Sequence, residues 1–301
     1  MKAIVVGMGV QGKKRKKFLK KDFIYSVDKR KISDFKSLQD VPINTYDSVF
    51  LCTPDNTKLK LIKYCLKFKK NVLVEKPLLT TASELNKIEK LFKRKKIFLY
   101  TAYNHRFEPS IKKAKEILQK GTIGKIYNAK IFYGNGTSKL VKKSEWRDKK
   151  GGIITDLGSH LFDICNFIFN KPLKKIKLIK SSRFENKSPD HAIINLFIKK
   201  IFVNLEMTYT MWKNSFYLDV IGSKGSIHIN SLCKWSNSHL ILRKRKLPSG
   251  KPQEQIFNYK KGDPTWFLEN IYFKNKVKTK SSTNLKNDNL INNYIQKIIK
   301  K

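Results

Sequence analysis

The sequence predicts an α/β protein of two domains. A doubly wound parallel sheet comes first, followed by an α+β domain built on a large, mostly antiparallel open sheet. Three observations predict this. An apolar strand runs into three glycines within the first twelve residues, as VVGMGVQG. Strands then alternate with helices as far as residue 101, the order that a parallel sheet requires. Beyond residue 125, strands follow one another through short turns such as SKGS at 223–226, as they do in antiparallel sheets. The 301 residues suffice for two domains. The expected division is 1–115 and 116–301.

Residues 2–6 form the first predicted strand, because Ala3, Ile4, Val5 and Val6 are an unbroken apolar run. Residues 10–19 read as a helix with a basic outer face. The second strand, 23–27, ends at Asp28, and only a thin crossover follows at 30–40. A third strand covers 47–52. Leu59, Ile62 and Leu66 give 56–68 the spacing of a helix. Val72, Leu73 and Val74 form a buried strand that stops at Glu75-Lys76-Pro77, since proline cannot continue a central strand. A helix at 81–93, capped by Thr81 or Ser83, leads to a fifth strand at 97–101.

The remainder changes character. A helix at 110–120 stops at Gly121, 125–133 alternates as a strand, and 153–169 is a largely apolar helix. Strands are expected at 176–179, 192–198, 202–210, 216–221, 226–229 and 240–242. A helix near 266–274 precedes a polar, Asn- and Lys-rich tail that ends in a short helix.

The net charge of +42 raises the question of nucleic acid. Only eight of the 65 basic residues are Arg, however, and the lysines are spread along the whole chain. Arg is the residue suited to reading bases and clamping phosphate, so no specific nucleic-acid partner is expected. The positive field would still concentrate small anions. Cys52, Cys65, Cys165 and Cys233 are scattered without a CxxC pair, which fits reduced thiols and argues against zinc. No apolar run is long enough to span a membrane, and no signal peptide is evident; the expected location is the cytoplasm.

Gly7-Met8-Gly9-Val10-Gln11-Gly12 fits GxGxxG between a strand and a helix, with Asp28 about 20 residues on at the end of the next strand. In such a Rossmann fingerprint Gly7 permits the tight turn, Gly9 lets the backbone approach a diphosphate, and Gly12 lets helix and strand pack closely. The helix N-terminus supplies unpaired N–H groups to the diphosphate. Asp28 would accept hydrogen bonds from a ribose diol and repel a 2′-phosphate, which favours NAD. Lys29 and Arg30 beside it leave NADP possible. Cys52, Thr53, Pro54 and Asn56 close the third strand at the same sheet edge. They read either as a wall against the cofactor or as an ordinary Pro-stopped strand end.

Lys76 stands at a strand tip, where α/β sheets place groups that act on ligands. Its alternative reading is an edge ion pair with Glu75. In GGIITDLGSHLFD (151–163), Asp156 and His160 share one helical face at i, i+4, with Asp163 nearby. Gly158 inside this helix costs stability and needs a reason, such as close approach of a ligand or backbone. No metal is expected, because no third or fourth ligand lies near this pair.

A glycine fingerprint, a strand-tip Glu-Lys-Pro and a Gly-Gly…Asp…His helix, in that order, resemble the Gfo/Idh/MocA family of NAD(P)-dependent oxidoreductases over most of the chain. Asn104-His105-Arg106-Phe107, Trp146-Arg147 and IGSKGSIHI at 221–229 are also similar to family segments. The resemblance implies that Lys76, Asp156 and His160 are catalytic, with Lys76 bonding the reacting oxygen. It places Glu75, Lys76 and Asn104 near the cofactor, and it implies that the Lys76–Pro77 bond is cis. Lys76, Asn104, Arg147, Asp156 and His160 would contact a carbohydrate-like substrate. It further implies a homo-oligomer, dimer or tetramer, formed through the C-terminal sheet. Hydride would pass between nicotinamide and a secondary alcohol or ketone of a sugar, sugar nucleotide or polyol. His160 is then the general base, since imidazole titrates near neutrality, and Lys76 stabilises the developing alkoxide. The alternatives are an NAD-dependent glycosidase of the same fold and a non-catalytic NAD-binding protein. The chain is short for the family, chiefly after Asp28 and towards the C-terminus.

Overall fold

The computed structural model describes residues 1–144, 147–149 and 151–299, so Trp146 lies outside the described residues. The chain divides into two compact units, and the division is not a single cut. Met1–Asn104 groups with Trp266–Asn292, and His105–Thr265 groups with the residues from 293 onward.

The first unit alternates β1 (Ala3–Val6), α1 (Val10–Leu19), β2 (Phe23–Val27), β3 (Ser48–Leu51), α2 (Asp55–Lys67), β4 (Asn71–Glu75), α3 (Ala82–Lys95) and β5 (Leu99–Ala102). All five strands are parallel, in the order β2-β1-β3-β4-β5. Successive residues point to opposite faces, and both faces are covered, which is why the strands read as continuous apolar runs. Ile4, Val6, Val49, Leu51, Val72 and Val74 pack with residues of α2 and α3. The crossover after β2 holds no α-helix, yet Phe35, Leu38 and Val41 cover that same face. Ala3, Val5, Phe50 and Leu73 face the other way, onto Leu19 of α1 and Phe273. Phe273 belongs to α7 (Thr265–Lys278), whose ring meets Phe50 edge-on at 5.3 Å. A helix far along the chain thus completes the N-terminal sheet.

The second unit is an eight-stranded sheet in the order β13-β12-β11-β10-β6-β9-β8-β7. Its strands are β6 (Ile126–Gly134), β7 (Lys174–Ser182), β8 (His191–Ile198), β9 (Ile201–Thr208), β10 (Ser215–Gly222), β11 (Gly225–Asn230), β12 (Ser238–Lys244) and β13 (Gln253–Tyr259). Neighbours are antiparallel except β6 and β9, which run parallel. One face packs against α4 (Pro109–Gln119) and α6 (Gly152–Phe169). Residues of β8 accordingly alternate between buried and half-buried along the strand. A short helix, α5 (Ser138–Lys142), lies in the loop after β6. β13 is the one strand absent from the sequence reading. It is an exposed edge strand, QEQIFNY, with too few apolar residues to signal itself.

The last helix, α8 (Lys286–Ile299), is 14 residues long. In the second unit, its Tyr294 hydroxyl accepts a hydrogen bond from the Leu173 N–H at 3.0 Å. Among the described residues no helix is long and apolar enough to cross a membrane.

Candidate functional site

The strand order of the first unit reverses between β1 and β3, and the loops after β1, β2, β3, β4 and β5 all leave from one edge of the sheet. Open α/β sheets bind ligands at such an edge. Gly7 has φ +93°, and a Cβ there would come 2.6 Å from the Cys52 carbonyl oxygen. A Cβ on Gly12 would lie 1.9 Å from the Gly7 carbonyl oxygen, so α1 can approach the turn only without a side chain. A Cβ on Gly9 would meet nothing within 4 Å, so the backbone there borders open space. Gly9 is the N-cap of α1 and offers no side-chain cap, leaving the first N–H groups to an outside acceptor. Among the described residues, the Thr53 hydroxyl is buried and unpartnered beside this turn. Met8 is buried and Val10 is exposed. These features fit a dinucleotide diphosphate.

Asp28 does more than await a ribose. Its Oδ2 accepts the Met8 N–H at 2.6 Å, and its Oδ1 accepts those of Arg30 and Lys31 at 2.9 and 3.0 Å. Burial works against its charge, but the three N–H donors outweigh it and hold the carboxyl below its ordinary range. Asp28 therefore pins the glycine turn to the end of β2. Lys29, Arg30, Pro54 and Asn56 are exposed along this edge, Cys52 is half-buried, and Asn104 follows β5 as a buried residue.

Lys76 is mounted on a braced strand tip. The Lys76–Pro77 bond is cis. The Pro77 carbonyl accepts a hydrogen bond from buried Lys58 at 2.9 Å, and Lys58 also pairs with Asp55 at 2.6 Å. Asn292 of α8 donates to the carbonyls of Leu78 and Thr80 at 2.9 and 3.1 Å. Glu75 is turned into the protein, where Arg15 of α1 donates to it through Nε at 2.7 Å. The Arg15 Nη2 lies 2.7 Å from Oε2 of fully buried Glu269, an ion pair without hydrogen-bond geometry. Tyr100 donates to Glu269 Oε1 at 3.0 Å, and the Trp266 ring stacks 4.3 Å from the guanidinium. One cation thus serves two carboxylates, Glu269 buried and Glu75 half-buried. Burial pushes the Glu269 carboxyl up to about 7; Arg15 opposes the rise and Glu75 adds to it.

In the second unit, Gly151 and Gly152 enter α6 with φ of +94° and +40°, and a Cβ on Gly152 would lie 2.4 Å from the Pro189 carbonyl oxygen. The reason for Gly158 is packing: a Cβ there would sit 3.2 Å from the Met207 sulfur of β9. Asp156 is held through Oδ2 by Arg147 at 2.8 Å and by the Tyr209 hydroxyl at 2.9 Å. Arg147, Asp156 and Tyr209 thus form one cluster. Burial, reinforced by the Asp156 charge, raises the Tyr209 hydroxyl well above its ordinary range, so it remains a donor. Asp163 is buried and accepts the Arg106 Nε through both oxygens, at 3.0 and 2.9 Å. His160 meets His105 Nδ1 to Nδ1 at 2.7 Å. Lys234 follows at 3.3 Å from His105 Nε2 and 2.6 Å from the Tyr133 hydroxyl.

Sequence reasoning missed Arg15, Glu269, Tyr133, Tyr209 and Lys234. Only Arg15 carried a usable signal, as one of eight arginines and on the inner face of a helix. Lys234 was hidden among many lysines. His105 was visible only as part of Asn104-His105-Arg106-Phe107. Among the described residues no group of three or more His, Cys, Asp or Glu could hold a metal ion.

A parallel sheet with a glycine cradle at its switch point defines a dinucleotide-binding protein with a second α+β unit. Residues 2–103 match the family profile described as "Oxidoreductase family, NAD-binding Rossmann fold", and residues 111–228 match that of the GFO/IDH/MocA C-terminal domain. The chain belongs to the Gfo/Idh/MocA oxidoreductase family, and its first unit carries the NAD-binding Rossmann fold. It is 30% identical over 130 residues to myo-inositol 2-dehydrogenase of Thermotoga maritima, covering 43% of this chain and 38% of that protein. It is 24% identical over 156 residues to an NADP(+)-linked scyllo-inositol 2-dehydrogenase of Bacillus subtilis, covering 51% and 43%. The matched stretches thus span less than half of either relative. In fold it is similar to levoglucosan dehydrogenase in complex with NADH, with a TM-score of 0.81 at 16% identity, covering 98% of this chain and 95% of that one.

Proposed function

We propose that the protein is an NAD(P)-dependent dehydrogenase or reductase acting on a secondary alcohol or ketone of a polyol, sugar or sugar nucleotide. In this reading the first unit binds the cofactor, with NAD preferred through Asp28, and the second unit binds substrate. The observation that carries it is the placement of Lys76 on the same sheet edge as the glycine cradle. β4 stands two strands from β1, or about 10 Å at the usual strand spacing. A bound nicotinamide dinucleotide supplies the hydride acceptor or donor. His160 removes the hydroxyl proton during oxidation and returns it during reduction. The Lys76 ammonium stabilises the developing alkoxide. Asp156, with Oδ2 already held by Arg147 and Tyr209, accepts hydrogen bonds from neighbouring substrate hydroxyls and orients them. Asn104 and Arg147 add further polar contacts.

The same reading gives a homo-oligomer formed through the outer face of the second unit's sheet. Phe202 and Tyr217 are exposed there, and Tyr217 packs against Phe132 at 5.9 Å. Exposed aromatic side chains on the open face of a sheet suit such an interface. Light scattering after gel filtration would read the mass, and a monomer at micromolar concentration would refute this part.

The activity is tested by NADH or NADPH formation with myo-inositol, scyllo-inositol, levoglucosan and UDP-sugars, with Lys76→Met and His160→Ala alongside wild type. Turnover abolished in both variants is the expected result. Wild-type turnover retained by either variant would overturn the assigned chemistry. Failure to bind either cofactor would overturn the whole reading.

A further inference from the structure

His160 and His105 stand at right angles, with ring centroids 4.1 Å apart and their Nδ1 atoms at hydrogen-bond distance. One Nδ1 must carry a proton and the other must not. His105 Nε2 in turn faces the Lys234 amine, whose other neighbours are the Tyr133 hydroxyl and the Trp235 ring. This row admits two proton arrangements. When Lys234 is an ammonium it donates to His105 Nε2. His105 then carries its proton on Nδ1 and donates to His160, which must hold its own proton on Nε2. When Lys234 is a neutral amine it accepts from His105 Nε2–H. His160 then donates through Nδ1, and its Nε2 carries no proton. The two arrangements differ by one proton.

We propose that His160, His105 and Lys234 form a proton relay in which the proton that His160 takes from the substrate is delivered to Lys234. The proposal rests on the dehydrogenase reading for its substrate, whereas the tautomer coupling stands on the second unit alone. As the substrate C–H hydride leaves for the bound nicotinamide, the hydroxyl proton moves to His160 Nε2. The His160 Nδ1 proton passes to His105 Nδ1, and the His105 Nε2 proton passes to the Lys234 amine. Both imidazoles end neutral with switched tautomers, and the positive charge rests on Lys234. Reduction runs the same transfers backward. His105 and Lys234 are positioning residues, since they act through His160. Tyr133 accepts an N–H from the ammonium and from the neutral amine alike, so it stays paired in both states.

The surroundings of Lys234 suit this task. Its amine is enclosed by Tyr133 of β6, by His105, and by the ring of Trp235. The charges that bear on it are Glu108 at the start of α4, Asp156 of α6 and Asp263 after β13. Burial lowers its pKa to about 8, against the pull of Asp263, Glu108 and Asp156. The amine can therefore change charge near physiological pH, which an exposed lysine cannot.

The test needs no substrate. The protein is labelled with ¹⁵N-histidine, and long-range ¹⁵N–¹H correlations read each tautomer between about pH 6 and 10. His105→Gln and His160→Gln supply assignments. The expected wild-type result is a joint switch of His105 and His160 with a midpoint near pH 8. His105 carries its proton on Nδ1 below that point and on Nε2 above it. Lys234→Met should abolish the switch. Lys234→Arg should hold the low-pH arrangement throughout, because guanidinium does not titrate in this range. Tautomers that ignore pH in wild type, or an unchanged switch in Lys234→Met, would overturn the relay. A kinetic arm uses NAD⁺ with myo-inositol. Wild-type kcat for oxidation should rise with pH through about 8, and Lys234→Met should lose that rise, while KM stays nearly constant. A wild-type kcat that is flat through pH 8 would also overturn the relay. If wild type oxidises none of the polyols, the dehydrogenase reading falls, and the tautomer measurement still decides the coupling.

Discussion

Replacing Glu269 with Gln should stabilise the protein at pH 8 and leave it nearly unchanged at pH 4.5 and below. The reason lies in the arithmetic of charge beneath β4. Arg15 is the one guanidinium between Glu75 and Glu269; Arg15 and Glu269 are buried, and Glu75 is half-buried. Burial favours the neutral form of Glu269 and the nearby Glu75 charge adds to this, so despite Arg15 its pKa rises from 4.5 to about 7. A folded-state pKa raised in this way lends stability at low pH that is lost as pH rises through the folded value. The loss runs from about pH 4.5 to 7, and its full size is about 3 kcal/mol at 1.36 kcal/mol per pH unit. Gln mimics the neutral carboxyl, keeps an oxygen for the Tyr100 hydroxyl, and leaves Arg15 paired with Glu75. Urea unfolding of both proteins at a series of pH values should show curves that coincide in acid and diverge above about pH 5. Arg15 alone suggests the opposite sign, since burial opposes its charge but both carboxylates overcome it and raise its pKa. Greater weight belongs to the shortage of cations. A Gln variant less stable than wild type at pH 8 would show that the Arg15–Glu269 attraction exceeds the burial cost, and the reasoning would fail.

Gly9→Ala should fold normally and lose NADH affinity, whereas Gly12→Ala should lower the melting temperature as well, because only the second Cβ meets backbone. Paired fluorescence titrations and melting curves separate the two. Asp28→Asn should weaken NADH binding about 10- to 100-fold, the range expected for a hydrogen bond to a charged group, and a titration giving unchanged affinity would remove Asp28 from the site. Lys58→Met should destabilise the protein by about 2 kcal/mol, since it strands the Pro77 carbonyl without its buried donor; denaturant titration would show no change if that bond is idle.

Most of the parallel sheet was legible because its inner strands β1, β3 and β4 are buried on both faces and spell themselves as apolar runs. The glycine turn was legible because its chemistry is local: strand, turn and helix are consecutive. Helical spacing alone put Asp156 and His160 on one face, but not their partners, which are Arg147 and Tyr209 for Asp156 and His105 for His160. What stayed hidden depends on distant contacts. Nothing in SLCKW marks Lys234 as the neighbour of His105, 129 positions away. Glu269 lies on a helix that joins the first unit only after the entire second sheet has been laid down. Gly158 was visible as an anomaly, but the sequence could not say that the cause was the sulfur of Met207.

The return of residues 266–292 to the first unit bears on how the chain is made. The Leu99 N–H donates to Thr283, and the turn that carries Lys76 is tied by Asn292, more than 200 positions downstream. Ribosomes deliver domains from the N-terminus, and domains generally fold as units. Here the nucleotide unit waits. Until translation has passed Asn292, its second face lacks Phe273 and the carbonyls of Leu78 and Thr80 lack their donor. The nascent chain would hold exposed apolar sheet for most of its synthesis, while the eight-stranded unit, almost contiguous in sequence, could close first. Order of synthesis and order of completion are therefore reversed, and holding chaperones would find their substrate at the N-terminal end.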